Sequence, residues 1–153
     1  MIRSLLLFLH VASVVIWVGG MFFAHQCLRP VAVAQLQPAQ RLPLWVGVFS
    51  RFFPWVWAAV GLILASGVAM ILQVGFKFAP LTWHLMFGVG LAMMAIFLHV
   101  YFAAFQRLKR HVAGQDWPAA GAALNQIRQL VGINILLGLL TIAIATVGKG
   151  LTL

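Results

Sequence analysis

The sequence predicts an all-α integral membrane protein, a four-helix up-down bundle that occupies residues 1–153 as a single domain. Three observations support this prediction: 64% of the 153 residues are apolar, 7% are charged, and the mean hydropathy is +1.07. Soluble domains do not have such a composition, so lipid is the predicted solvent of most of the chain. Inside lipid each backbone amide must be satisfied within its own segment, which favours helices over open strands.

Four apolar segments are long enough to cross a hydrocarbon core about 30 Å thick. Their approximate bounds are 4–27, 45–74, 81–105 and 130–147. Residues 29–43 contain three prolines and are predicted to form an irregular loop, whereas the link near 75–80 is short. Residues 106–129 are polar and basic. There Gly114 is typical of a helix end and Asp116 followed by Pro118 of a helix start, so a helical overhang outside the lipid is predicted.

The distribution of charge predicts the orientation and the partners. Ten Lys and Arg residues stand against one acid, Asp116, which gives a net charge of +9. The basic residues flank the apolar segments, where they face anionic lipid, so membrane lipid is the predicted partner and nucleic acid is excluded. Seven of them fall on the first and third loops and three on the other side, which predicts both termini on the periplasmic side of a bacterial inner membrane. A homo-oligomer is compatible with the sequence.

Four histidines inside the apolar segments form two pairs with one separation. His10 and His25 in the first segment, like His84 and His99 in the third, are fifteen residues apart, or about 22 Å along a helix. Because both segments cross in the same direction, His10 and His84 are expected near the outer face and His25 and His99 near the inner face. An ionisable side chain inside a membrane predicts a functional site.

The matched spacing predicts one or two haem b groups, each held by an imidazole from both segments. Such haems would relay electrons across the membrane, with a quinone and a periplasmic redox partner as donor and acceptor, so the sequence leaves open whether the protein is an oxidoreductase. The other predicted haem contacts are glycines for close approach, a tryptophan on the His10 face and basic residues for the propionates: Gly19, Gly20, Gly88, Trp17, Arg3, Arg29, Arg51 and Arg107. The histidine spacing is similar to that of cytochrome b561 proteins by analogy.

Copper is the alternative cofactor or cargo. Met21 and Cys27 lie close to His25 in the sequence, and Met86 lies close to His84. Thioether, thiolate and imidazole groups together suit Cu(I). The same histidines, with these three soft donors, therefore also predict a copper-binding or copper-transporting membrane protein.

The first segment resembles a known family. Residues 9–12 read LHVA, residues 16–23 read IWVGGMFF, and residues 28–30 read LRP. Over residues 5–30 this resembles the first helix of the copper resistance protein D (CopD) family, and it is also similar to the HemJ-type protoporphyrinogen oxidases. The resemblance implies an inner-membrane protein that handles copper or haem, with His10 as ligand or functional residue, and adds a porphyrinogen-oxidising enzyme as a further alternative.

Overall fold

The computed structural model describes residues 1–148, which form four long helices. We name them α1 (Ile2–Gln35), α2 (Pro38–Val74), α3 (Leu81–Ala113) and α4 (Trp117–Thr146). Each is long and apolar enough to cross a membrane, which confirms the predicted all-α membrane fold. The protein is therefore a multi-pass membrane protein. Lys149, which contributed to the predicted orientation, lies outside the described residues.

The helices are longer than the apolar segments, and the predicted loop over 29–43 is wrong. Only residues 36–37 interrupt the helical structure there. Pro38 occupies the first turn of α2, where its missing N–H has no intrahelical partner to lose. Pro30 lies inside α1, directly after a π-helical segment, Phe23–Leu28. The wider π turn gives the proline ring room beside the preceding carbonyl groups, so α1 continues past it.

The other two connections are tight turns. Gly75 ends α2 with a φ of +89°, a conformation that favours glycine, and a short 3-10 turn at Phe76–Phe78 leads into α3. Gly114 ends α3, and the Asp116 carboxylate accepts a hydrogen bond from the Ala119 N–H at 3.2 Å. Asp116 therefore caps α4, which confirms the predicted helix end and helix start.

Helices α2 and α4 each contact all three other helices. Helix α1 packs along α2, α3 packs along α4, and α4 also contacts both α1 and α2. An aromatic cluster fills the space between α2 and α3, where the Phe53 ring contacts Phe97 and Phe105. The Trp17 side chain, only 3% exposed, crosses from α1 to meet the edge of Phe97 on α3. The two helices that carry the histidine pairs are thus bridged by aromatic rings.

Candidate functional site

His10 is held by a buried serine of the neighbouring helix. Its Nδ1 lies 2.9 Å from the Oγ of Ser66, which is 3% exposed. The Ser66 hydroxyl donates its own hydrogen to the Leu62 carbonyl, so toward His10 it can only accept. With the Ser66 hydroxyl in this orientation, His10 carries its proton on Nδ1. Its Nε2 then has a lone pair, and within residues 1–148 that atom has no hydrogen-bond partner.

The Ser66 contact also fixes the position of the His10 ring. A Cβ added at Gly67, the residue after Ser66, would lie 3.5 Å from His10 Cε1, so the ring packs directly against the α2 backbone. A partner that fixes both the tautomer and the orientation of an imidazole is the usual support of a metal-binding histidine. His10 therefore has the arrangement of a single prepared ligand.

His84 is engaged in a different way at the start of α3. Its Nδ1 lies 3.1 Å from the Pro80 carbonyl oxygen, and its Nε2 lies 3.1 Å from the Phe76 carbonyl oxygen. The Phe76 ring also meets the imidazole edge to face, with 4.7 Å between centroids. A neutral imidazole carries one N–H, so one of these nitrogens donates to its carbonyl oxygen while the other keeps its lone pair beside an acceptor.

The two inner histidines both adjoin π-helical segments. His25 lies within Phe23–Leu28, beside Gly132 of α4, and its Nδ1 is buried without a hydrogen-bond partner among the described residues. His99 immediately precedes the second π segment, Val100–Ala104. Such segments occur frequently at functional sites, and nothing in the hydrophobic pattern of the sequence indicated them.

His99 forms a hydrogen bond to α4. The Gln126 side-chain oxygen accepts from Arg107 at 2.8 Å, which leaves its amide nitrogen to donate to His99 Nε2 at 3.4 Å. The Nε2 lone pair of His99 is therefore used. Arg107, predicted as a contact of a haem propionate, is the residue that donates to this glutamine.

Each histidine with a hydrogen bond has a partner of another residue type. Within residues 1–148, no hydrogen bond joins two of the four histidines, and His10 Nε2, His25 Nδ1 and His99 Nδ1 each lack a hydrogen-bond partner. Bis-imidazole ligation of haem iron needs a lone pair from each helix. Trp17 of α1 and Phe97 of α3 meet between the two helices that carry the histidines, and haem b stays a prediction from the sequence.

The other predicted haem contacts are dispersed. Gly20 is covered by the Phe52 ring, which an added Cβ would strike. Nothing lies within 4 Å of a Cβ added at Gly19 or Gly88. The side chains predicted to reach haem propionates include two that are exposed, Arg3 and Arg51.

The two soft donors of α1 differ in how deeply they are buried. Met21, 4% exposed, lines an interior cavity of about 180 Å³, whereas Cys27 is exposed. The same cavity is lined by Asn134 of α4, whose amide nitrogen donates to the Met93 carbonyl at 3.1 Å. The Asn134 Oδ1 is buried and has no partner among the described residues. Met86 lies partly exposed on α3.

Sequence reasoning missed Ser66 and Asn134, the two polar residues that organise the interior. Their signal was a hydrogen-bonding side chain inside an apolar segment, where such groups join helices. Across residues 1–148, no three His, Cys, Asp or Glu side chains are grouped closely enough to hold a metal ion. Methionine and single histidines are therefore the donors to consider.

A family model, that of copper resistance protein D, matches residues 46–147, about two thirds of the chain. The chain belongs to the CopD family. The matched range includes His84 and His99 but not His10, so it covers the part of the chain beyond the residues 5–30 in which the resemblance was noticed. Comparison with curated proteins and with solved structures yields no match. Membership in the CopD family indicates a membrane protein related to copper resistance.

Proposed function

We propose that this CopD-family protein binds Cu(I) within the membrane and transports it along α1. The observation that carries the proposal is the His10–Ser66 pair, which holds an imidazole inside the bundle with Nε2 unpartnered among the described residues. Copper is here the transported cargo and not a resident cofactor. Nothing in the contacts of the histidines favours the haem relay or the porphyrinogen oxidase over this function.

The donors of α1 lie at successive depths. Met21 follows His10 by eleven residues, or about 16 Å along the helix, and His25 lies about 6 Å further. Each belongs to a donor class that Cu(I) accepts, and Cys27 adds a thiol at the same end. Transport requires several sites that bind the ion weakly enough to release it. A row of donors on one helix has this property.

The cavity beside Met21 provides a site between the two ends. It has a volume of about 180 Å³ and is mainly apolar. Asn134 adds an amide oxygen without a hydrogen-bond partner among the described residues. In this cavity a Cu(I) ion would meet the Met21 thioether as its ligand, with Asn134 and Trp17 as parts of the wall. His10 would deliver the ion from one side and His25 would receive it on the other.

The proposal is tested by Cu(I) binding to the purified protein under reducing conditions, in competition with a chromophoric chelator. His10→Asn is expected to weaken binding at least about tenfold, as loss of a ligand or of its support commonly does. His111→Asn is the matched control, because His111 lies outside the apolar segments and pairs with Asp116 at 3.6 Å. An equal loss of Cu(I) affinity in the two variants would contradict copper binding by His10. A Soret band in the absorbance spectrum of the protein as purified would also contradict it.

The orientation belongs to the same proposal. Basic side chains gather at the end of the bundle that holds the α1–α2 and α3–α4 connections, which by the positive-inside rule faces the cytoplasm of the inner membrane. His10 then lies near the periplasmic face. Alkaline phosphatase fused after the last residue is expected to be active, and an inactive fusion would reverse the direction of transport.

A further inference from the structure

A second cavity, separate from the one beside Met21, lies at the basic end of the bundle. Its volume is about 200 Å³. Three helices each contribute one arginine to its wall: Arg29 from α1, Arg41 from α2 and Arg128 from α4. His25 and Asn125 complete the polar part of the lining. We call this space the arginine cavity.

The arginine cavity has an uncompensated positive charge. The only acid in the chain, Asp116, lies beside His111 and is not part of the cavity wall. Three guanidinium groups that surround one partly enclosed space repel each other, and this repulsion is strongest where water is scarce. Arg29, Arg41 and Arg128 are each half-buried, so an opposite charge between them would relieve this repulsion. No acidic side chain is among the described residues that line the cavity, so an opposite charge placed there would come from outside the chain.

The volume of the arginine cavity and the chemistry of its wall indicate the size and chemical class of an anion that would fit. At about 30 Å³ per water molecule, the cavity has room for roughly six waters, enough for a small tetrahedral anion with part of its hydration. Guanidinium groups bind phosphate oxygens through paired hydrogen bonds, and three of them can surround one such group. The opposite wall is apolar, formed by Leu42, Trp45 and Phe49.

We infer that the arginine cavity binds an oxyanion of the phosphate class. A free phosphate and the headgroup phosphate of an anionic lipid share this chemistry, and the position of the cavity at the basic end of the helices makes both accessible. The cavity shares His25 with the proposed copper route but neither His10 nor Met21, and the arginines that carry this inference are not copper donors. It assigns a role to Arg41 and Arg128, which the histidine pattern left unexplained.

The experiment uses the full chain in a neutral detergent without copper. One arm titrates inorganic phosphate by calorimetry, and the other compares phosphatidylglycerol with phosphatidylcholine in nanodiscs by native mass spectrometry. Arg29→Gln and Arg128→Gln are each expected to weaken binding about tenfold, the usual cost of losing a hydrogen bond to a charged group. Arg110→Gln, an exposed arginine at the same end of the bundle, is the control and is expected to change binding less than about twofold.

A second variant keeps every charge and fills the space. Nothing lies within 4 Å of a Cβ added at Gly121, which lines the cavity, so Gly121→Leu can enter it without striking the wall at that atom. Gly61→Leu, at another open helical position, is its control. Binding of phosphate supports a soluble ligand, and binding of phosphatidylglycerol alone supports a lipid headgroup. The inference would be overturned if neither phosphate nor phosphatidylglycerol binds, or if Arg110→Gln weakens binding as much as Arg29→Gln. Undiminished binding by Gly121→Leu would also overturn it, whatever the result for copper.

Discussion

Ser66→Ala tests the support of His10 without touching a copper ligand. The substitution removes the Ser66 oxygen, which lies 2.9 Å from His10 Nδ1, and the buried position offers little water as a substitute. Hydrogen bonds between membrane helices contribute about 0.6 kcal/mol on average and up to about 1.7 kcal/mol. A donor left unpaired in the interior adds to this loss, so we expect the free energy of unfolding to fall by about 1–2 kcal/mol. Because the ring is then free to change tautomer and orientation, Cu(I) affinity is expected to fall about 10- to 100-fold.

Ser13→Ala is the matched control for this substitution. Ser13 is equally buried at 3% exposure and lies on the same helix as His10, but its hydroxyl donates to the Leu9 carbonyl of its own helix. Its loss leaves the His10 ring unchanged. The assays are SDS-induced unfolding, chelator competition for Cu(I), and the nitrogen shifts of ¹⁵N-labelled histidine, which report the tautomer. The reasoning about His10 is refuted if Ser66→Ala keeps the Nδ1–H tautomer and the wild-type Cu(I) affinity. It is also refuted if Ser13→Ala lowers the Cu(I) affinity as much as Ser66→Ala does.

Two further predictions concern helix ends and helix packing. Asp116→Ala is expected to lower the free energy of unfolding by about 0.5–2 kcal/mol because the Ala119 N–H loses its cap. Asp116→Asn retains an acceptor and most of the stability. Chemical unfolding should separate the two variants, and equal losses of stability would argue against capping. Gly138→Ala is expected to lower the free energy of unfolding by about 1–3 kcal/mol because its Cβ would lie 2.8 Å from a Val18 methyl group. Gly47→Ala, with nothing within 4 Å of its Cβ, should be neutral or stabilising. An SDS titration that gives both variants the same stability would contradict this close contact of α1 with α4.

The sequence could predict single residues of the site but not the partners that they contact on other helices. His10 was singled out because an imidazole inside lipid is costly without a partner or a task. Its partner Ser66 lies 56 residues away, and a serine in an apolar segment carries no indication of which helix it faces. The fifteen-residue spacing correctly placed the histidines on two helices. It carried no information about the carbonyl groups and the glutamine that occupy His84 and His99.

The arginine cavity illustrates the same limit. Its three arginines stand at positions 29, 41 and 128, and the sequence presents them only as charges that flank apolar segments. Their convergence depends on α4 lying against both α1 and α2. The prediction of an irregular loop over 29–43 failed for a related reason. A π turn accommodated Pro30, and the first turn of α2 accommodated Pro38, so the chain stayed helical up to residue 35 and again from residue 38.

The sequence by itself determined the solvent, the number of spans and the helix caps, because hydrophobic length and local backbone chemistry depend only on neighbours along the chain. The tertiary structure alone decided which ring nitrogens remain available and where positive charge gathers. Both depend on how helices rotate and pack against one another, and in a bundle with almost uniformly apolar surfaces the sequence leaves that rotation undetermined.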